Sequence, residues 1–336
     1  MAMILILAAP AGAAAQPRDT VIETASVGSA RISASATANR YPIDASGRET
    51  VAIAVTAACQ ASCTAADPRQ IAAFLGTLIH GFEMQLLTVQ LDTPSQLEFD
   101  CGYGAQACYY GGENKIVISG NDAPATDGAS REFVLAHEYG HHVARHRETP
   151  RPFPAALDWG TARWSSYQNV CRRARAGVLS VGSFGLRYFR DPGEAFAESF
   201  AHLRFPESGV PWRWLRALKP DAGALEAIRK DTLDPWLGRT PLRLAGRVPP
   251  RGEGPAVRAF RTPLDGAVSL RPAGRPRYDL SLLNRAGRVL RSSRHDHGRN
   301  GGQRLNFTVC GQSRLRLAIH PSARRAGAFK LQIQRP

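Results

Sequence analysis

The sequence predicts an α+β chain of 336 residues, a mixed helix-and-strand part followed by a small all-β sandwich. Three observations predict it. Apolar residues at helical spacing surround two groups of His and Glu, one in Ser130 to Arg145 and one in Asp191 to Leu203. Short strand-like runs, Val51 to Val55 and Lys115 to Ser119, come before them. Beyond Val257 the chain becomes a series of short alternating runs with turn punctuation.

Residues 1–17 read as a signal peptide, an apolar stretch closed by Ala13-Ala14-Ala15 as an A-x-A cleavage site before Gln16. With Pro10 and Gly12 inside it, the stretch is a poor membrane span, and no transmembrane segment is expected elsewhere. The cysteines agree with export. There are six, an even number, and none sits in a CxxC ribbon, so disulfides are the economical reading. Cys59 with Cys63 and Cys101 with Cys108 are the local choices, which leaves Cys171 for Cys310; six cysteines nevertheless allow fifteen pairings. A secreted, extracellular or periplasmic protein is expected, and a monomer.

The composition, 43% hydrophobic and 21% charged, is that of a globular chain long enough for two cores. The net charge of +15 comes almost wholly from arginine. It favours anionic partners, an anionic cell-wall polymer or acidic protein. Nucleic acid is not expected, because no recognisable binding motif accompanies the charge.

In chain order, the expected catalytic part runs over 18–240 and opens with weakly alternating Val, Ile, Ala and Thr up to Thr64. Apolar residues from Ile71 to Leu86 then form a helical stripe over Pro68 to Leu87; His80 and Glu83 lie three apart on it, with structural or surface roles the first expectation. Lys115 to Ser119 is a strand that could form the edge of a cleft, where an extended substrate adds itself as a further strand, or an ordinary core strand.

Ser130 then caps a helix whose first turn carries Glu132 and whose apolar surface comes from Phe133, Val134, Leu135, Ala136, Val143 and Ala144. Within it stands His137-Glu138-Tyr139-Gly140-His141. Histidines four apart share one helical face and can grip one zinc ion, with the intervening Glu138 placed to act on a water as base. A third histidine in the HExxHxxGxxH pattern is missing, since those positions hold Ala144 and Arg147.

Pro150 to Pro154 is a breaker run, and the tryptophan-rich Asp158 to Cys171 is expected to pack as a wall or lid over the cleft. A second helix follows, with Asp191 as N-cap and Pro192 as first helical residue. Glu194 and Glu198 fall on one face of it with Ala197 and Ala201, small residues that let two helices approach closely. Glu194 could instead close a capping box on Asp191, and Glu198 could be a solvated charge. Residues 241–255, rich in Arg, Pro and Gly, read as a linker, and 256–336 as the sandwich. His295 and His297, beside Asp296 and Gly298, read as a solvated turn rather than a second metal site.

HEYGH followed by ExFAExF resembles the gluzincin metallopeptidases, and more closely the branch of secreted bacterial enzymes that includes anthrax lethal factor. The resemblance extends from about Glu132 to Leu203. It implies a zincin-like fold, Glu194 as the third zinc ligand with His137 and His141, Glu198 supporting the site, and an oxyanion-assisting tyrosine just upstream of the second helix, nearest to Tyr188. The C-terminal runs, among them Tyr278 to Leu283 and Gly327 to Ile333, resemble the bacterial pre-peptidase C-terminal domain, a β-sandwich appended to secreted peptidases.

These readings combine into an expected secreted zinc metalloendopeptidase acting on protein or peptide substrates. Two alternatives stand beside it: a non-catalytic envelope or adhesion protein that keeps zinc as a structural element, and a zinc hydrolase acting on an amide in cell-wall peptide. A purely structural zinc has no need of Glu138 as base, which separates the first alternative from the enzyme.

Overall fold

The structure is a computed structural model that describes residues 37–64, 67–121, 128–182, 185–250, 252–273, 278–293, 304–311, 313–321 and 327–336. The expected signal peptide and the His295 to His297 turn lie outside these residues. No described helix is long and apolar enough to cross a membrane.

The chain is α+β, with one hydrophobic core in each of its two parts and a smaller cluster of Leu97, Cys101, Ala105, Cys108, Tyr110 and Val117. Strands β1 (Asn39–Pro42), β2 (Thr50–Val55), β3 (Thr88–Asp92), β4 (Ala107–Tyr110) and β5 (Lys115–Ser119) make one sheet in the order β1-β2-β3-β5-β4. The pairs β2/β3 and β3/β5 are parallel, while the outer strands run antiparallel to their neighbours. Helices α1 (Ala57–Ser62), α2 (Pro68–Leu75) and α3 (Pro94–Cys101) lie in the crossovers. The helices α4 (Arg131–Arg145), α5 (Ala156–Trp159), α6 (Ala162–Tyr167), α7 (Val170–Arg175), α8 (Pro192–Arg204) and α9 (Ala222–Leu233) follow.

Two expectations in this part change. The stripe over Pro68 to Leu87 is a helix only to Leu75, followed by a 3-10 turn at Phe82–Leu86. Gly76 ends the helix where its Cα lies against the Ile43 carbonyl, so close that a Cβ there would sit 1.9 Å from that oxygen. Lys115 to Ser119 is the interior strand β5, and β4 is the edge strand. The β4 to β5 hairpin folds back on itself, so the strand nearer to α4 in sequence is not the one at the rim.

The polar network under α4 ties these elements together. The Glu83 carboxylate accepts from Tyr139 Oη at 2.9 Å, Arg147 Nη2 at 2.8 Å and the Gly81 amide at 2.8 Å. Arg147 also donates to the Asp231 and Thr232 carbonyls at the end of α9. Burial works against the Glu83 charge, but the Arg147 guanidinium holds its carboxyl below the usual range. Glu83 is therefore structural, while His80 faces Glu49 at 3.7 Å.

The C-terminal part is a sandwich of two four-stranded antiparallel sheets. Its strands are β6 (Thr240–Val248), β7 (Ala256–Thr262), β8 (Gly266–Pro272), β9 (Tyr278–Leu283), β10 (Val289–Ser292), β11 (Leu305–Val309), β12 (Ser313–Pro321) and β13 (Gly327–Arg335). The sheet orders are β10-β9-β12-β7 and β11-β8-β13-β6. Inward residues such as Val268, Leu270, Phe329 and Ile333 of one sheet meet Phe260, Leu280, Leu317 and Ile319 of the other.

The expected linker over 241–255 is corrected here. Its first half is β6, paired with β13 along its whole length. Leu242, Leu244 and Val248 pack on the sandwich core, and the Arg and Gly between them, with the flanking Pro, masked that alternation in the composition. The connection between the two parts is the short stretch from Asp234 to Arg239.

The six cysteines pair as Cys59–Cys63, Cys101–Cys108 and Cys171–Cys310, with none free. Gly120 lies against the first of these, where a Cβ would meet Cys59 Sγ at 2.3 Å. The third joins α7 to the sandwich. Beside it, the Asp265 amide donates to Ser166 Oγ at 2.8 Å, the Gly311 amide donates to the Asp265 carboxylate, and the Ala267 amide donates to the Arg151 carbonyl at 2.9 Å.

Burial pushes the Asp265 carboxyl up to about 6, against the Gly311 and Cys171 amides and the charges of Arg172 and Arg175. An acid whose folded-state value is raised holds its proton more tightly folded than unfolded. Its contribution to stability is therefore present below its unfolded value near 3.8 and is lost as pH rises towards 6. Asp265→Asn should remove that part of the pH slope. Thermal melting of both proteins between pH 4 and 8 reads it as a gap that widens in favour of the variant as pH rises.

Candidate metal centre

Helix α4 begins as its sequence requires, with Ser130 Oγ accepting from the Phe133 amide at 3.1 Å. Every residue from Phe133 to Ala144 is buried, including His137, Glu138 and His141. Helix α8 begins with Asp191 accepting from the Gly193 amide at 2.7 Å and Pro192 in the first turn. The two helices pack closely at Gly140, where a Cβ would lie 2.9 Å from both Ala197 Cα and Phe200 Cβ. This close approach brings Glu194 across to the histidines.

His137 Nε2 and His141 Nε2 each lie 3.4 Å from Glu194 Oε2. One ligand atom from each of the three residues can be chosen so that all lie within 4.8 Å of one another. Both Nε2 atoms are buried without a hydrogen-bond partner. Buried polar atoms left unpaired are costly unless another group satisfies them. Two imidazoles and a carboxylate converging on one small space are a donor set that could hold a metal ion, and they match a three-ligand zinc site in type.

Around them, His137 Nδ1 lies 3.0 Å from Glu198 Oε2, so Glu198 fixes the imidazole with its Nε2 side towards the triad. The Tyr188 hydroxyl donates to Glu194 Oε2 at 2.8 Å. Glu138, one residue from His137, has both carboxylate oxygens buried and without a hydrogen bond. The sequence thus brought together all six of its site residues, His137, Glu138, His141, Tyr188, Glu194 and Glu198.

The electrostatics follow from burial and mutual charge. Burial pushes the Glu138 carboxyl up to about 8, with His137 opposing and Glu194 adding to the shift. Burial alone would lower His137, but Glu194 and Glu198 push it up to about 10. His141 is lowered by burial, with Glu194 opposing. Glu194 is held well below the usual range despite burial, by His141 and His137. Burial and the Glu194 charge raise the Tyr188 hydroxyl well above its ordinary value. A bound dication would pull Glu138 back down, since it favours the charged form.

Two neighbours escaped the sequence. Trp214 lies tilted across His137 with ring centroids 5.7 Å apart, and contacts Tyr188 at 6.3 Å. Asp158 is close enough for its charge to raise His141. No spacing in the sequence links either to the motif helix; Trp214 and its neighbour Trp212 lie in a loop that gives no periodic signal. Of the segment expected over the cleft, Asp158 lies near His141, while Trp164 stands edge-on to Phe196 on α8 and Trp159 stacks on Phe153.

The first-row test of the donor set is substitution. Glu194→Ala, which removes one of the three converging donors, should abolish metal retention through dialysis, whereas Glu198→Ala should weaken metal affinity by roughly 10–100-fold. Zinc titration with a chromophoric chelator checks both values. A reversed order would move the third ligand one turn along α8.

No protein-family profile matches the chain, and no curated protein matches it. Among solved structures it is similar to the periplasmic inhibitor of g-type lysozyme, PliG, from Aeromonas hydrophila. The identity is 9% over 29% of this chain and 85% of that chain, at a TM-score of 0.22. Similarity that slight says nothing of function.

Proposed function

We propose that the chain is an exported zinc metallopeptidase of zincin-like fold, similar to the gluzincins, in which His137, His141 and Glu194 hold the metal. One observation carries this reading. The two Nε2 atoms and Glu194 converge in a buried space without satisfying one another, and an unpaired acid, Glu138, stands on the same helix beside them. The three disulfides are consistent with an exported protein.

When bound, zinc supplies Lewis acidity, polarising a carbonyl and acidifying a water. The residues of the chain do the rest. Glu138, free of any hydrogen bond in the folded protein, accepts the proton of the attacking water and delivers it to the leaving nitrogen. Glu198 holds His137 in the tautomer whose Nε2 faces the site. Tyr188, released from Glu194, donates to the oxygen on which charge develops.

His137 and Glu138 are 0% exposed and His141 1%, so substrate entry requires residues around Trp214 and Tyr188 to draw back. A structural zinc in an adhesion protein would leave Glu138 without a role, and nothing in its surroundings provides one. The test is cleavage of a diverse peptide library by zinc-loaded protein, before and after chelation. Cleavage that chelation removes and zinc restores supports the proposal; no cleavage of any peptide by zinc-loaded protein contradicts it.

A further inference from the structure

The positive charge of this chain is confined to one part. Residues 240–336 contain 20 Arg and Lys against 4 Asp and Glu, whereas residues 1–239 contain 23 against 24. One of the four acids, Asp265, is buried at the junction with α6 and α7 and does not offset surface charge. The sandwich therefore carries the whole surplus.

Strand register places five of these twenty cations on one sheet face. On β13, Gln332 stands opposite Arg243 of β6 on one side and Arg271 of β8 on the other, so the three side chains form a row across three strands. Lys330 lies on the same side of β13, and Arg247 on the same side of β6, about 13 Å from Arg243 at the usual rise per residue. Arg304, next to β11, reaches Ser269 Oγ at 3.3 Å and Asn306 Oδ1 at 3.2 Å on that face. All five cations are exposed. Among the described residues none of the five forms an ion pair, and the outward positions of these four strands hold no carboxylate and no aromatic ring.

Ordinary solvated faces intersperse both signs, and charges that only protect a sheet edge sit on the edge strand. Here Arg271 and Lys330 occupy the two central strands. We propose that this face is a docking surface for an acidic polysaccharide, anionic groups spaced along a hydroxyl-rich chain. The guanidinium and ammonium groups meet the anions, and the amides of Gln332 and Asn306 between them meet hydroxyls. A nucleic acid fits less well. A single strand would find no aromatic ring to stack on, and a flat sheet face presents no helix or ribbon to a groove. Such docking would hold the metal centre near whatever the polymer surrounds.

The test uses the full chain and does not depend on peptide cleavage. Binding to polygalacturonate is measured for wild type and two variants, each lacking five positive charges. The face variant carries Arg243→Gln, Arg247→Gln, Arg271→Gln, Arg304→Gln and Lys330→Gln. The control carries Arg261→Gln, Arg285→Gln, Arg288→Gln, Arg314→Gln and Arg316→Gln, exposed positions elsewhere on the sandwich. A milder pair, Arg271→Gln with Lys330→Gln, tests the centre of the face should the full set fold poorly. The face variant should lose about tenfold or more in affinity, with the salt dependence flattened by about one unit per lost contact, while the control stays near wild type. Equal losses in the two variants, which diffuse charge would give, overturn the proposal. So does tighter binding of duplex DNA through the same five residues, or no binding of polygalacturonate by the wild type.

Discussion

Glu138→Gln is expected to lower zinc-dependent peptide hydrolysis by about 10²–10⁴-fold, the usual contribution of a positioned general base, without loss of zinc or of folding. Gln keeps the volume and one acceptor oxygen of the side chain but accepts no proton at neutral pH. Glu138 takes no part in the hydrogen-bonding of its surroundings, so the exchange breaks no described contact. It even relieves the helix interior of a carboxyl that burial already pushes up to about 8. Turnover, zinc content and melting temperature measured on one preparation separate these effects. A variant that still cleaves at the wild-type rate would remove Glu138 from the mechanism.

Glu83→Ala is expected to destabilise the N-terminal part by about 3–5 kcal/mol, although Glu83 touches none of His137, His141 and Glu194. The loss leaves the Arg147 guanidinium, 8% exposed, buried beside Tyr139 without its counter-charge. Against typical stabilities of about 5–15 kcal/mol this is a large share. Changing both partners, Glu83→Leu with Arg147→Met, should not recover it, because the Tyr139 hydroxyl, the Gly81 amide and the Asp231 and Thr232 carbonyls then stay buried without their partners. Denaturant unfolding of the three proteins measures it. A Glu83→Ala protein as stable as wild type would show that the pair is solvated.

The metal-centre helices were legible because each signal was local. Ser130 and Asp191 stood where caps belong, and the four-residue spacing put His137 with His141, and Glu194 with Glu198, on one face of each helix. The disulfides were legible as two short-range pairs and a remainder. What escaped depended on contacts distant in sequence. Strand β6 was hidden because its inward Leu242, Leu244 and Val248 alternate with Arg and Gly that composition assigns to a linker. The rim position of β4 follows from sheet order, which no local pattern encodes. Glu83 finds Arg147 across 64 positions, and Trp214 reaches His137 from a loop after α8. Both are products of packing rather than of periodicity.

The central claim, a zinc ion held by His137, His141 and Glu194, is tested most directly by X-ray absorption at the zinc edge on protein dialysed against zinc and then freed of excess. The expected result is one zinc per chain in a shell of nitrogen and oxygen neighbours at about 2.0–2.2 Å, with the two imidazoles visible in the outer-shell scattering. That signal should vanish in Glu194→Ala. Protein that retains no zinc, or a zinc shell unchanged by Glu194→Ala, would contradict it.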